Sequence, residues 1–248
     1  MQRLFYIIIA CFFLIKTVAA QNTIFVNEGR IEYEKKIDLW AQIDESPEDE
    51  SWKELDKKQV PQFKLSYSNL FFNNNKTLFE PGRENTDNNR LWQEPAEDNT
   101  VFINLTDSLS IAQKNVYEQT FLLRDSTRKI KWKITDETRN IAGFDCRRAN
   151  AIIMDSIYVV AFYTDEITTT GGPESFNGLP GMILGLALPH EHITWFATKV
   201  YSDDVTDAQL SPPTKGKKTN SKALLITLQD LMKDWGRWGK QYQRQIMM

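Results

Sequence analysis

Gly171-Gly-Pro-Glu-Ser-Phe-Asn-Gly-Leu-Pro-Gly-Met-Ile-Leu-Gly185 holds five of the eleven glycines in this 248-residue chain. Glycines gather where a backbone must take a positive φ or pass close to a neighbour. Upstream runs Ile157-Tyr-Val-Val-Ala-Phe-Tyr163, and Met182–Leu188 is apolar again. The stretch therefore reads as a built corner between two buried strands. Leu179-Pro180-Gly181-Met182 has type II turn chemistry, with Pro presetting φ at the second position and Gly supplying a positive φ at the third. Gly171-Gly172-Pro173 is a second tight break. Glu174, Ser175 and Asn177 are pinched between the two, around Phe176. So stiff a loop suits a recognition surface, and it equally suits a strand-to-strand corner.

Working outward, the chain from about Thr23 to Asp204 reads as short strands between polar turns. Candidates are Ile24–Val26, Arg30–Tyr33, Gln62–Phe71, Thr77–Phe79, Val101–Leu105, Gln119–Leu123, Lys129–Ile134, Arg148–Met154, Ser156–Tyr163, Met182–Leu188 and Ile193–Tyr201. Asn73-Asn-Asn, Asp107-Ser and Ser202-Asp-Asp supply the turn chemistry. Ile157–Tyr163 is apolar on both faces and belongs in the centre of the sheet. The expected fold is mainly β: a curved antiparallel sheet or partial barrel occupying residues 21–213, carrying a C-terminal amphipathic helix.

Two helical segments interrupt the strands. Ser46-Pro47-Glu48-Asp49 predicts a helix start, with Ser as cap and Pro in the first turn, and Trp52 and Leu55 carry it to about Lys58. It reads as a short insertion spanning 46–58. In the tail 214–248, Leu224, Leu228, Leu231, Trp235, Trp238 and Tyr242 fall on one helical stripe at spacings of four and three. Asn220 or Ser221 caps it, and Lys222–Trp235 is its firm part, since Gly236 and Gly239 weaken the turns beyond. This helix packs as a lid on the sheet; the competing reading is peripheral contact with a membrane surface.

The first twenty residues have the form of an export signal. Arg3 supplies the positive start, Leu4–Ile15 the apolar region, and Val18-Ala-Ala20 the small-residue cleavage site. Twelve apolar residues are too few to span a bilayer, which takes roughly 20. No other run approaches that length, so no transmembrane segment is expected in the processed chain. Processing leaves 28 basic and 33 acidic residues, a net charge of −5. The tail from Thr214 carries +6 and the remainder −11. A basic tail of this kind docks on its own acidic body or reaches an anionic partner. Nucleic acid is not an expected partner. Cys146 is the one cysteine left after cleavage, which excludes an intrachain disulfide and reads as a small buried apolar side chain.

Chemistry-bearing residues are few. His190-Glu191-His192 contains both histidines; at a strand rim His190 and His192 would point the same way and, with a carboxylate such as Asp165 or Glu166, could hold zinc or copper. Two ligands fall short of a typical site, and Pro189 favours an exposed bend. Asp165 and Glu166, adjacent in an extended chain, point to opposite faces. Ser175 lacks a nucleophile elbow, and no phosphate loop or dinucleotide fingerprint occurs. No catalytic set and no cofactor is expected.

Gly178-Leu-Pro-Gly-Met-Ile-Leu184, preceded by Gly172-Pro-Glu-Ser-Phe-Asn177, resembles the signature of the GLPGLI family of exported proteins of Gram-negative bacteria. So do Lys131–Ala149 with Trp132, Gly143, Phe144 and Cys146, the strand Ala161–Ile167, and the opening Gly29–Tyr33. The sequence departs from the family pattern at Phe162, Thr168 and Met182. The resemblance implies export to the periplasm or cell surface and association with outer-membrane TonB-dependent systems, and it brings no catalytic residues. By analogy of fold alone, the β-rich pattern also looks similar to the half-barrel carriers of the lipoprotein-sorting type.

The sequence thus supports a non-catalytic envelope accessory protein that binds a protein partner or an apolar ligand through Gly172, Pro173, Phe176, Gly178, Leu179, Pro180 and Gly181. A metal-assisted hydrolase using His190 and His192, and a lipid carrier, are the alternatives.

Overall fold

The computed structural model describes residues 25–46, 48–86 and 95–248. The expected leader, Ile24, Pro47 and the side chain of Trp238 lie outside the described residues. The strands are β1 Glu28–Asp38, β2 Phe63–Asn73, β3 Lys76–Pro81, β4 Thr100–Asn104, β5 Leu109–Val116, β6 Gln119–Ser126, β7 Lys133–Ile141, β8 Phe144–Ile153, β9 Ile157–Thr164, β10 Met182–Leu188, β11 Ile193–Tyr201 and β12 Lys217–Thr219. The helices are α1 Leu39–Asp44, α2 Glu50–Gln59, α3 Ser221–Leu231 and α4 Gly236–Met247.

All twelve strands lie in one open mixed sheet, ordered β12-β6-β5-β4-β3-β2-β1-β11-β10-β9-β8-β7. Two meanders of sequential hairpins, β1 to β6 and β7 to β11, join along the antiparallel pair β1–β11. Their register places Arg30 opposite Tyr201 and Ile37 opposite Ile193. The one departure from antiparallel pairing among the named strands is β12, a tail segment lying parallel to β6. The expected curved β fold is present, and β9 and β10, the two apolar runs, are antiparallel neighbours.

The sheet is strongly curled. Val101 of β4, Leu123 of β6 and Met154 of the β8–β9 turn line one cleft. Six strand spacings separate β4 from β9, about 29 Å in a flat sheet. The other end rolls as well: the Arg139 guanidinium of β7 lies 4.8 Å from the ring of Phe196 on β11, four strands away. Gly185 permits this, because a Cβ there would come within 2.8 Å of the Phe196 ring and 2.9 Å of Ile141. Phe162, Gly185 and Phe196 form one cross-strand row, capped by Arg139.

One large core fills the inner face, running from Phe79, Val101, Ala112 and Leu123 through Tyr33 and Leu186 to Ala149 and Ala161. α3 and α4 close it with Leu224, Leu228, Met232 and Ile246. Each such side chain contributes about 2 kcal/mol by leaving water. A smaller cluster on the back of the first meander packs Leu78, Phe102 and Ile111 under Val205 and Leu210.

Several expectations are corrected. The tail helix is broken: α3 ends at Leu231, and α4 begins at Gly236, whose φ of +56° interrupts the turn. The single stripe therefore splits, Leu224 and Leu228 being buried while Leu231 and Trp235 remain 62 % and 44 % exposed. Trp235 instead stacks edge-on with Tyr117 and Tyr242. The insertion helix starts later than expected, at Glu50 with Asp49 in the cap position, and α1 precedes it, capped by Asp38. The predicted strand Lys129–Ile134 is displaced to Lys133–Ile141. Of the expected strand Ile24–Val26, Val26 forms an isolated bridge to Ile167, and Ile24 lies outside the described residues.

Candidate functional site

The glycine loop is anchored at both ends by backbone pairing. The Val26 N–H donates to the Glu166 carbonyl (2.8 Å), and Thr168 donates back to Val26. At the far end the Ile183 N–H donates to the Gly171 carbonyl at 2.8 Å. The corner is not a type II turn. Gly181 donates to the Leu179 carbonyl at 2.8 Å, closing a three-residue turn. Gly181 sits at φ +147°, and a Cβ there would fall 2.0 Å from the Thr164 carbonyl oxygen. The position admits glycine alone on grounds of space as well as φ.

Most residues proposed from sequence as a contact face point into the protein. Gly172, Pro173, Phe176, Leu179 and Gly181 are buried, and Gly178 and Pro180 are exposed. A Cβ on Gly172 would meet Ile183 at 2.8 Å. The Trp132 indole donates to the Asn177 carbonyl at 2.9 Å, fastening the loop to the stretch before β7. What the loop delivers is Glu174, a buried carboxylate held at φ +55°. Its Oε2 accepts from Asn99 Nδ2 at 2.9 Å. Positive φ on a side chain of this size is strained, and such strain concentrates at functional positions.

Glu174 faces two cations, one buried and one half-buried. Lys114 lies inward on β5 between Ala112 and Val116, 5 % exposed. Burial pushes its pKa down to about 8, against the attraction of Glu174. Arg128, just after β6, is also lowered by burial and supported by Glu174. Their donors go to backbone oxygens of the tail. Lys114 Nζ reaches Ile246 O at 2.7 Å; Arg128 Nη2 reaches Met247 O at 2.6 Å and Met248 O at 3.3 Å. Ser175 Oγ adds a bond to Met248 O at 2.8 Å. Arg128 Nη1 is buried and has no hydrogen-bond partner among the described residues.

These groups sit beside a cleft of about 430 Å³. Val101, Ala112, Leu123, Leu225 and Ile246 give it apolar walls, and Lys114, Arg128 and Ser175 its polar end. Ser110, Asp125, Ser126, Thr127, Lys129 and Ser221 line it as well, so the cleft pairs apolar walls with many polar groups, and small-molecule sites are built from both.

The histidine segment lies elsewhere. Pro189–Glu191 form a 3-10 turn between β10 and β11, with His192 left-handed at φ +55°. His192 Nε2 stands 2.9 Å from Glu45 Oε1, and His190 is exposed. Glu191 is buried, its pKa raised by desolvation, and meets Arg244 of α4 at 3.2 Å. Asp165 and Glu166 are not brought to this turn. Among the described residues no group of three or more His, Cys, Asp and Glu is placed to hold a metal. Cys146 is fully buried, and burial pushes its thiol up to about 12.

Sequence reasoning missed Lys114 and Arg128. The available signal was the alternation Ala112-x-Lys114-x-Val116, which sets the lysine on the inward face of β5.

The strand, corner and returning strand at 152–185 are also where comparison with known families gives a result. Residues 152–185 match the model of a family described as "Protein of unknown function (Porph_ging)". This is the family of the GLPGLI-type exported proteins. Among curated proteins none matches the chain. Structures of PNGF-II in P21 and C2 space groups are similar in fold, with TM-scores of 0.52 and 0.53 at 16 % identity. The match covers 84 % and 83 % of this chain, and 33 % and 32 % of those chains. The chain thus spans about a third of the proteins it resembles, and the likeness concerns the sheet.

Proposed function

We propose that this GLPGLI-type chain is an exported, non-catalytic binding protein of the cell envelope. It holds an apolar ligand in the cleft beside residues 171–178 and serves an outer-membrane TonB-dependent system. The observation that carries the reading is the cleft itself, with apolar walls supplied by β4, β5, β6 and α3 and a polar end fixed by the stiff loop. The loop acts as scaffold: its glycines let it pack close to Ile183 and Thr164, and its strain is spent on aiming Glu174 inward. Export rests on the leader-like residues 1–20.

The test is binding of N-phenyl-1-naphthylamine, a neutral fluorescent apolar probe, together with mass spectrometry of lipid that co-purifies with protein taken from the periplasm. Ala112→Trp fills the cleft and is expected to abolish probe binding while leaving the circular dichroism spectrum unchanged. Equal probe binding by both proteins, with no co-purified lipid, would overturn the reading.

A further inference from the structure

We infer that the border formed by β12, the α3–α4 elbow (residues 232–235) and the β5–β6 turn docks on an anionic phospholipid bilayer. The inference needs neither the cleft nor its ligand.

Four large apolar or aromatic side chains stay exposed here: Tyr117 at the β5–β6 turn, Ile226 and Leu231 on α3, and Trp235 at the elbow. Tyr117 holds φ +53°, a left-handed backbone that a tyrosine adopts only under strain. Its ring meets Trp235 edge-on at 5.7 Å, and Trp235 meets Tyr242 at 6.2 Å. The aromatic tip is thus held in place while Tyr117 and Trp235 still face water. Tyrosine and tryptophan join an apolar body to a polar edge, which suits the boundary between headgroups and acyl chains.

Lysines surround the tip. Gly216 runs so close to β6 that a Cβ there would fall 2.9 Å from the Phe121 carbonyl carbon, which brings Lys215, Lys217 and Lys218 alongside that strand. Ser221, bonded to Asp125, starts α3 at the far end of β6, and α3 leads back to Trp235 against Tyr117. Lys222, Lys233 and Lys240 are exposed on this path. Against these six lysines stand Glu118, Asp230 and Asp234, leaving three positive charges unmatched; Arg124 and Asp125 on β6 offset one another. Residues 21–213 carry −11, so an anionic surface attracts this border and repels the remainder. A neutral apolar partner leaves the lysines unused, and a purely charged one leaves the aromatics unused. An anionic bilayer engages both.

The test is co-sedimentation of the exported chain with vesicles of phosphatidylcholine, alone or mixed with phosphatidylglycerol. Wild type is expected to bind the mixed vesicles about 100-fold more tightly than the neutral ones, and to lose that margin at high salt. Lys217→Gln with Lys218→Gln is expected to weaken binding to mixed vesicles about 20-fold and to flatten its salt dependence. Leu231→Ser is expected to weaken it about tenfold and leave the salt dependence as it was. All these residues are exposed, so unchanged circular dichroism is expected for each variant. Equal binding to neutral and mixed vesicles, or binding to neither, would overturn the inference. Retention on immobilised heparin without binding to vesicles would assign the border to a polyanionic partner and overturn the bilayer.

Discussion

Replacing Lys114 by methionine measures directly whether an ammonium group is held in the core. Burial lowers the lysine pKa from 10.5 to about 8 in the folded chain. At pH 7 the group is protonated in both states, and the folded state bears a penalty of about 3 kcal/mol for it. Between pH 8 and 10.5 the unfolded chain binds more protons than the folded one, so stability rises with pH through that window. Integrated from pH 7 to 9.5, the gain is about 2 kcal/mol. Cys146 acts in the opposite sense. Its thiol is raised from 9.0 to about 12, so stability falls as pH climbs above 9, by roughly 1 kcal/mol over the same interval. That loss is common to both proteins and cancels in their difference. At pH 7 methionine relieves the buried charge but orphans the Ile246 carbonyl, at about 1–3 kcal/mol, so the two terms nearly balance. The decisive quantity is the slope. Urea unfolding at pH 7.0, 8.5 and 9.5 should show wild type gaining about 2 kcal/mol on Lys114→Met. Parallel pH profiles would refute the burial of the ammonium.

Gly181→Val places a Cβ on the Thr164 carbonyl, and is expected to leave no soluble folded protein, by circular dichroism and yield, whereas Pro180→Ala, at an exposed position, should cost under about 1 kcal/mol. Trp132→Phe removes the bond to Asn177 and should lower unfolding free energy by about 1 kcal/mol, read by urea titration. The Cys146 thiol should react with Ellman's reagent at pH 8 only at the rate of unfolding; a fast stoichiometric reaction in buffer would contradict its burial. Protein purified from its native compartment should contain no stoichiometric zinc or copper by elemental analysis, and a full equivalent would revive His190 and His192 as ligands.

The centre of the sheet was legible because its strands are apolar on both faces, as in Ile157–Tyr163 and Met182–Leu188. The periphery was not. β5 alternates as a strand should, but Lys114 in its inward set hides the pattern. β12 is Lys-Lys-Thr, with no apolar residue to announce it, and forms because β6 offers an unpaired edge. β7 is mostly polar and exposed, so its start was read too early, from the apolar positions Ile130 and Trp132. The tail stripe was periodic in sequence, but one helix stops at Leu231 and the next begins at Gly236, after four residues of turn. At the site, the loop's stiffness was visible and its orientation was not. Positive φ at Glu174, which turns the carboxylate inward, leaves no mark on a sequence, and Arg128 reads as an ordinary surface cation.

The seam between β1 and β11 sets the order in which the molecule can assemble. Each meander closes through neighbours in sequence and can form early, but the two halves meet only when residue 30 finds residue 201. Until then β1 and β11 each present an open row of amides and carbonyls, on a chain whose final strand, β12, is later still. A molecule arrested at that point is two half-sheets with sticky borders. Folding helpers that shield strand edges would act there, and a nick between β6 and β7 should yield two pieces that recognise each other along this border.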